Sequence, residues 1–124
     1  MRSFYIGEDE TVDPGKRGEV AVLVVGGEID YEASPQLRAS IINVIKGGRR
    51  QLVLDLSAVT FVDSTTVGVM AGALVRLEDA GGGSLAVVCT NEKVLQIFEI
   101  TGLDSVITLH GSRDEALSAI ATAG

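Results

Sequence analysis

The chain of 124 residues has no tryptophan, three phenylalanines and two tyrosines. Its interior must therefore be filled by aliphatic side chains, and there is little material for a stacking site. A single cysteine, Cys89, excludes an intramolecular disulfide, and it ends the apolar run Ser84–Cys89, where a thiol packs as a small hydrophobe. A single histidine, His110, leaves neither a histidine-rich metal site nor a Ser-His-Asp triad with spare partners. We accordingly read no catalytic set, no metal set and no cofactor. Cations are scarce as well: 10 Lys and Arg against 17 Asp and Glu give a formal charge of −7. Such a field opposes phosphate backbones and anionic lipid, so the expected partners exclude nucleic acid and membrane. No apolar run reaches the roughly 20 residues that cross a bilayer, and the N-terminus has no signal-peptide pattern; a cytoplasmic protein is expected.

What is present is a 46% hydrophobic composition, enough for one core and hence one domain over residues 1–124. Residues 3–7 predict a short strand, followed by a polar loop from Gly7 to Gly18. Val20–Val25 is a β-branched strand stopped by Gly26 and Gly27, able to form a long hairpin with the first. Ser34 and Pro35 predict a helix start, with Leu37, Ile41 and Ile45 on its inner face up to Gly47. Gln51–Leu56 reads as a buried strand, and Val67, Met70, Ala71, Leu74 and Leu77 follow at helical spacing until glycines 81–83. Leu85–Cys89 is the next strand. Asn91 caps a short helix carrying Val94, Leu95 and Phe98 up to Gly102, Ser105–Leu109 is the last strand, and Ser112 with Glu115 forms a capping box for a final helix. Strands alternating with helices predict an α/β fold with crossover connections, and sites in such sheets gather at the carboxyl ends of strands. The segments 27–30 and 63–66 are expected to meet there.

Asp63, Ser64, Thr65 and Thr66 are consecutive oxygen-bearing side chains at the start of the helix after the 51–56 strand. Such residues cap helices in many domains, and the same helix end favours added negative charge, so a phosphate on Ser64 would be well placed. Between Gln51 and Val75 only Asp55 and Asp63 are ionisable, which leaves the first turns without the charges of an ordinary solvated face. A neutral, small-residue surface around a hydroxyl suits a protein partner. Gly68 and Gly72 add a shallow strip, which we read as close core packing ahead of partner approach.

Two blocks, Gly27-Glu-Ile-Asp30 and Asp55-Leu-Ser-Ala-Val-Thr-Phe-Val-Asp-Ser-Thr-Thr-Val-Gly68, resemble the STAS domain family, especially its single-domain anti-sigma factor antagonists, and Thr101-Gly-Leu-Asp104 is similar to a third segment. The resemblance runs from about residue 20 to the C-terminus. It implies a mixed, largely parallel β-sheet with about four helices and a non-enzymatic switch. The implied partner is an anti-sigma factor that is also a serine kinase; binding it releases a sigma factor, and phosphorylation at Ser64 reverses this. The cycle leaves room for a serine phosphatase. By the same resemblance Asp30, Asp63, Ser64, Thr65, Thr66, Val67 and Gly68 are the partner-binding set, with Thr65 and Thr66 as alternative acceptors. Thr66 and Val67 stand where the family usually has Gly and Leu, and Thr66 is expected to put a branched side chain on the docking surface. The alternative is a STAS scaffold or transport-complex subunit in which the Ser64 cluster is contact surface only.

Overall fold

The computed structural model describes residues 3–9 and 20–123, so residues 10–18 of the expected polar loop lie outside the described residues. Five strands, β1 (Phe4–Glu8), β2 (Val20–Ile29), β3 (Gln51–Val62), β4 (Ser84–Val88) and β5 (Thr108–His110), form one sheet in the order β1-β2-β3-β4-β5. Only the β1–β2 pair is antiparallel, as the expected hairpin requires. Helices α1 (Ser34–Lys46), α2 (Ser64–Asp79) and α3 (Glu92–Thr101) each connect parallel neighbours, and α4 (Arg113–Ala123) follows β5. Because parallel crossovers share one hand and the strand order is sequential, the three connecting helices fall on one face.

That face holds the larger core, where Leu23 and Leu54 of the sheet meet Leu37, Ile41, Met70 and Phe98 of the helices. Side chains alternate across a strand, so Val20, Val22 and Val53 point to the other face, where Ala116 and Ile120 of α4 cover them. Each aliphatic side chain fully buried in this way stabilises the fold by about 1.5–3 kcal/mol. The architecture is the mixed, largely parallel sheet expected, with four helices among the described residues.

Several boundaries differ from the sequence-based expectation. The glycines 26 and 27 do not stop β2, which runs on to Ile29. The Tyr5 ring lies over Gly26, where a Cβ would approach it to 2.3 Å, and Gly27 has φ +86° with the Ser3 carbonyl 2.2 Å from a would-be Cβ. Glycine is required at Gly27, where backbone closes in at a positive φ, whereas at Gly26 a larger residue would displace the exposed Tyr5 ring. β3 likewise continues beyond Leu56 to Val62. The last strand is shorter than 105–109, because Leu103–Ser105 forms a 3₁₀ turn in which the N–H groups of Val106 and Ile107 bond to the Leu103 carbonyl. Finally, α1 is capped at Ala33 and not at Ser34, whose hydroxyl donates to the Tyr31 carbonyl.

Candidate functional site

β4 pairs with β3 only as far as Asp55, opposite Val88. Beyond this point β3 and β2 run on together, with Gly26 beside Ala58 and Ile29 beside Val62. Register shifts after Val24 and after Gly27 bend this two-stranded extension, as bulges do. Its end brings the segment after Ile29 next to the start of α2, the juxtaposition expected from the sequence.

Asp63 is the N-cap of α2, in extended conformation, and its Oδ1 accepts from the Thr66 N–H at 3.0 Å. The cap satisfies one of the first-turn donors and places Ser64 and Thr65 outward, both exposed. Gly68 is exposed and Gly72 half-buried, and a Cβ at either would meet nothing within 4 Å. This corrects the core-packing reading of the two glycines: their strip is open surface, continuing to the exposed Val75. Of the two acids in the 51–75 stretch, Asp55 is buried and Asp63 is turned into the cap, so apart from Asp63 the first turns of α2 carry no ionisable side chain.

Three members of the predicted partner-binding set face inward. Thr66 is only 1% exposed; its hydroxyl donates to the Ile29 carbonyl at 2.7 Å and lies 3.1 Å from Asp63 Oδ1. The expectation that Thr66 stands on the docking surface is therefore corrected: it ties the end of β2 to the start of α2. Val67 is buried in the main core. Asp30 is buried too, and its Oδ1 accepts from the N–H groups of Glu32 and Ala33 at 3.0 and 3.2 Å, shaping the turn into α1. Ser64, Thr65 and Gly68, with half-buried Asp63, are the members that reach the surface.

One polar cluster among the described residues does not show in the sequence as an interaction. Asp55 Oδ2 accepts from Arg113 Nε and Nη2 at 3.1 and 2.9 Å, while its Oδ1 accepts from the N–H of Ser57 at 3.0 Å and from the Ser57 hydroxyl. Arg113 Nη1 also donates to Asp9. Burial alone would raise the Asp55 carboxyl, but the Ser57 hydroxyl and N–H, followed by the Arg113 hydrogen bonds and charge, together hold it below its ordinary 3.8. A usable signal was present. Arg113 is the first residue of α4, where the helix dipole disfavours a cation, and a cation there needs a specific anion to hold it.

Cys89 is buried in the larger core, and burial pushes its thiol up, with the Asn91 backbone opposing the shift. A thiol reagent should therefore modify Cys89 slowly in the folded protein and rapidly in denaturant, as measured by the reaction rate under both conditions. Fast native reaction would show an activated thiol in place of a packing one.

The sequence pattern of the STAS domain matches residues 12–116. The anti-sigma-B factor antagonist of Bacillus subtilis (strain 168) is 33% identical over 85 residues, covering 68% of this chain and 76% of that protein. The protein of the same description from Staphylococcus aureus (strain NCTC 8325 / PS 47) is 31% identical over 98 residues, covering 79% and 87%. Among solved structures, an anti-sigma factor antagonist from Mycobacterium paratuberculosis superposes with a TM-score of 0.81 at 30% identity, covering 95% of this chain and 94% of the other.

Proposed function

The chain belongs to the STAS domain family, and from that premise we propose that it is an anti-sigma factor antagonist switched by phosphorylation of Ser64. The observation that carries this reading is the exposed Ser64 hydroxyl at the start of α2, set on a neutral surface with the open Gly68–Gly72 strip behind it. The anti-sigma factor docks on this surface and gives up its sigma factor. The relatives named above, described as anti-sigma-B factor antagonists, support the choice of partner.

Ser64 is substrate and not catalyst. A serine hydroxyl is a weak nucleophile without an adjacent base. Asp63, its neighbour, is committed to the Thr66 N–H as helix cap. The base, metal and ATP of a phosphoryl transfer must then come from the partner, which acts as the serine kinase: the Ser64 oxygen attacks the γ-phosphorus and loses its proton to that base, the bond to the bridging oxygen breaks, and ADP leaves. The product carries about −1.5 to −2 charge at the positive end of α2, which the fold tolerates. The same charge beside Asp63 repels a partner that had fitted a neutral face.

The test is a titration of purified anti-sigma factors with wild-type protein, Ser64→Ala and Ser64→Asp. Ser64→Ala is expected to bind like wild type and take up no phosphate, read by intact mass after incubation with ATP. Ser64→Asp should bind about tenfold more weakly with an unchanged melting temperature. Equal affinity of all three proteins, or phosphate found on Ser64→Ala, would remove Ser64 from the switch and favour a constitutive scaffold.

A further inference from the structure

A helix start made of Ser64, Thr65 and Gly68 is small compared with the roughly 800 Å² that each partner of a stable complex buries, so the contact must continue onto neighbouring elements. Directly beside it, the two-stranded tip of β3 and the outer side of α3 enclose a groove of about 330 Å³, lined by Phe61 and Val62 from the strand and by Lys93, Gln96 and Ile97 from the helix, among others. Val62 precedes the cap Asp63, so the groove begins two residues from the phosphoacceptor. The helix side extends further. Ile100 lies three residues after Ile97 and four after Gln96, on the same side of α3, and is 80% exposed, while Phe61 is 40% exposed. α3 buries Val94 and Phe98 in the core and packs Ile97 partly against it, so Ile100 and the outer edge of Ile97 are the apolar surface that the helix leaves over. Among the lining residues Lys93 carries the only charge.

We propose that this groove is the second half of the anti-sigma factor interface and takes an apolar side chain of that partner, with a carboxylate of the partner set against Lys93. The inference rests on the function proposed above and names where the partner's affinity resides. The neutral surface at Ser64 is the part that phosphate can switch, but its small side chains supply few contacts. The apolar groove supplies the anchoring contact, since binding energy concentrates where a side chain fills a desolvated pocket. Lys93 matches the charge: on a chain of net charge −7, it offers a cation beside the apolar anchor, where a partner's carboxylate is attracted in place of being repelled. A switch built this way loses the complex on phosphorylation without having to disturb the anchor itself.

The experiment titrates each ATP-binding anti-sigma factor of the same organism, purified, with wild type, Ile100→Glu, Lys93→Glu and Val106→Glu, and records melting curves in parallel. Ile100 is exposed, and Lys93 lies in the first turn of α3, where an acid suits the dipole, so neither substitution should unfold the protein. Val106 is an exposed valine outside the groove and controls for the added negative charge. Binding weakened about tenfold by both groove variants, and unchanged by Val106→Glu, supports the groove. If a factor binds wild type and the groove variants equally well, or if Val106→Glu weakens it as much, the groove is overturned while the proposed function stands. Failure of every factor to bind wild type overturns the proposed function and this inference with it.

Discussion

Replacing Arg113 by methionine is expected to lower the free energy of unfolding by about 2–3 kcal/mol at neutral pH, a large loss for a single domain. The Asp55 side chain is 9% exposed, and Arg113 provides both hydrogen bonds to its Oδ2. Methionine keeps most of the aliphatic stem and removes the fork, leaving a buried carboxylate held by Ser57 alone. Breaking a fully buried pair costs about 3–5 kcal/mol, and since the arginine side chain is 32% exposed, solvent screening reduces that figure. The loss also has a place. Among the described residues α4 is what covers Val20, Val22 and Val53, so amide exchange should rise first along α4 and these strands. Asp55→Leu combined with Arg113→Met should recover much of the stability, because it removes the stranded charge along with its partner. Denaturant titrations of the three proteins decide this, and a loss below about 0.5 kcal/mol for Arg113→Met would reduce the pair to an ordinary surface bridge.

The same pair sets a pH dependence. The folded Asp55 carboxyl lies below its unfolded value near 3.8, so its contribution is fully present above that value and is lost as pH falls through the folded one. Burial would lower Arg113, but its hydrogen bonds to Asp55 and Asp9 and their charges outweigh that and shift it up, so its contribution persists through the whole acidic and neutral range. The carboxyl alone therefore governs the window. In Arg113→Met the Ser57 hydrogen bonds still lower Asp55 but the Arg113 share of the shift is lost, so the stability gap between wild type and variant should be widest above about pH 5 and shrink below about pH 4. A gap independent of pH between 7 and 3 would assign the loss to packing.

The β/α alternation was legible because β-branched runs and glycine stops are local signals; Asn91 caps its helix as read, the cap before α2 falls within the 63–66 cluster at Asp63, and Ser112 caps the Glu115 N–H while Glu115 accepts from Gly111 in place of Ser112. What escaped depends on neighbours distant in sequence. Gly26 and Gly27 read as a strand end because the reason for Gly27, the Ser3 carbonyl across the hairpin, lies more than 20 residues away. The outer half of β3 was lost for a similar reason: past Asp55 it pairs only with β2, and Ser57, Ala58, Thr60 and Phe61 are exposed, so no buried apolar run marks it. The Asp55–Arg113 pair spans 58 residues and shows in neither local pattern. At the candidate site the cluster itself was plain, but four adjacent oxygen-bearing residues do not reveal which of them turns inward. That is decided by the Ile29 carbonyl at the end of β2, to which Thr66 donates.

Thr66→Gly is accordingly expected to lower stability by about 2–3 kcal/mol and to make Ser64 a poorer substrate, the reverse of what an exposed Thr66 would give. Three losses combine: the hydrogen bond to the Ile29 carbonyl, about 1–1.5 kcal/mol; a buried methyl group, about 1 kcal/mol; and the helix preference of threonine over glycine, a few tenths. Thr66→Ser restores the hydroxyl but not the methyl and should lose only about 1 kcal/mol. Thr66→Val keeps the shape and leaves the Ile29 carbonyl without this donor, for a loss of about 1–3 kcal/mol. The functional consequence follows from what the hydroxyl fastens. It joins the end of β2 to the first turn of α2, and Ser64, the proposed phosphoacceptor, stands two residues away on that turn. Released from this tie, the turn samples more orientations, and a kinase that must align the Ser64 oxygen with a phosphoryl group gains nothing from the missing side chain and loses alignment. Melting curves beside Ser64 phosphorylation rates for the three variants test both halves. The rates should fall in the order wild type, Thr66→Ser, then Thr66→Val and Thr66→Gly. A glycine variant as stable as wild type would mean that the Thr66 hydroxyl is not the fastening, and one phosphorylated faster would mean that bulk at this position had been limiting the partner's approach.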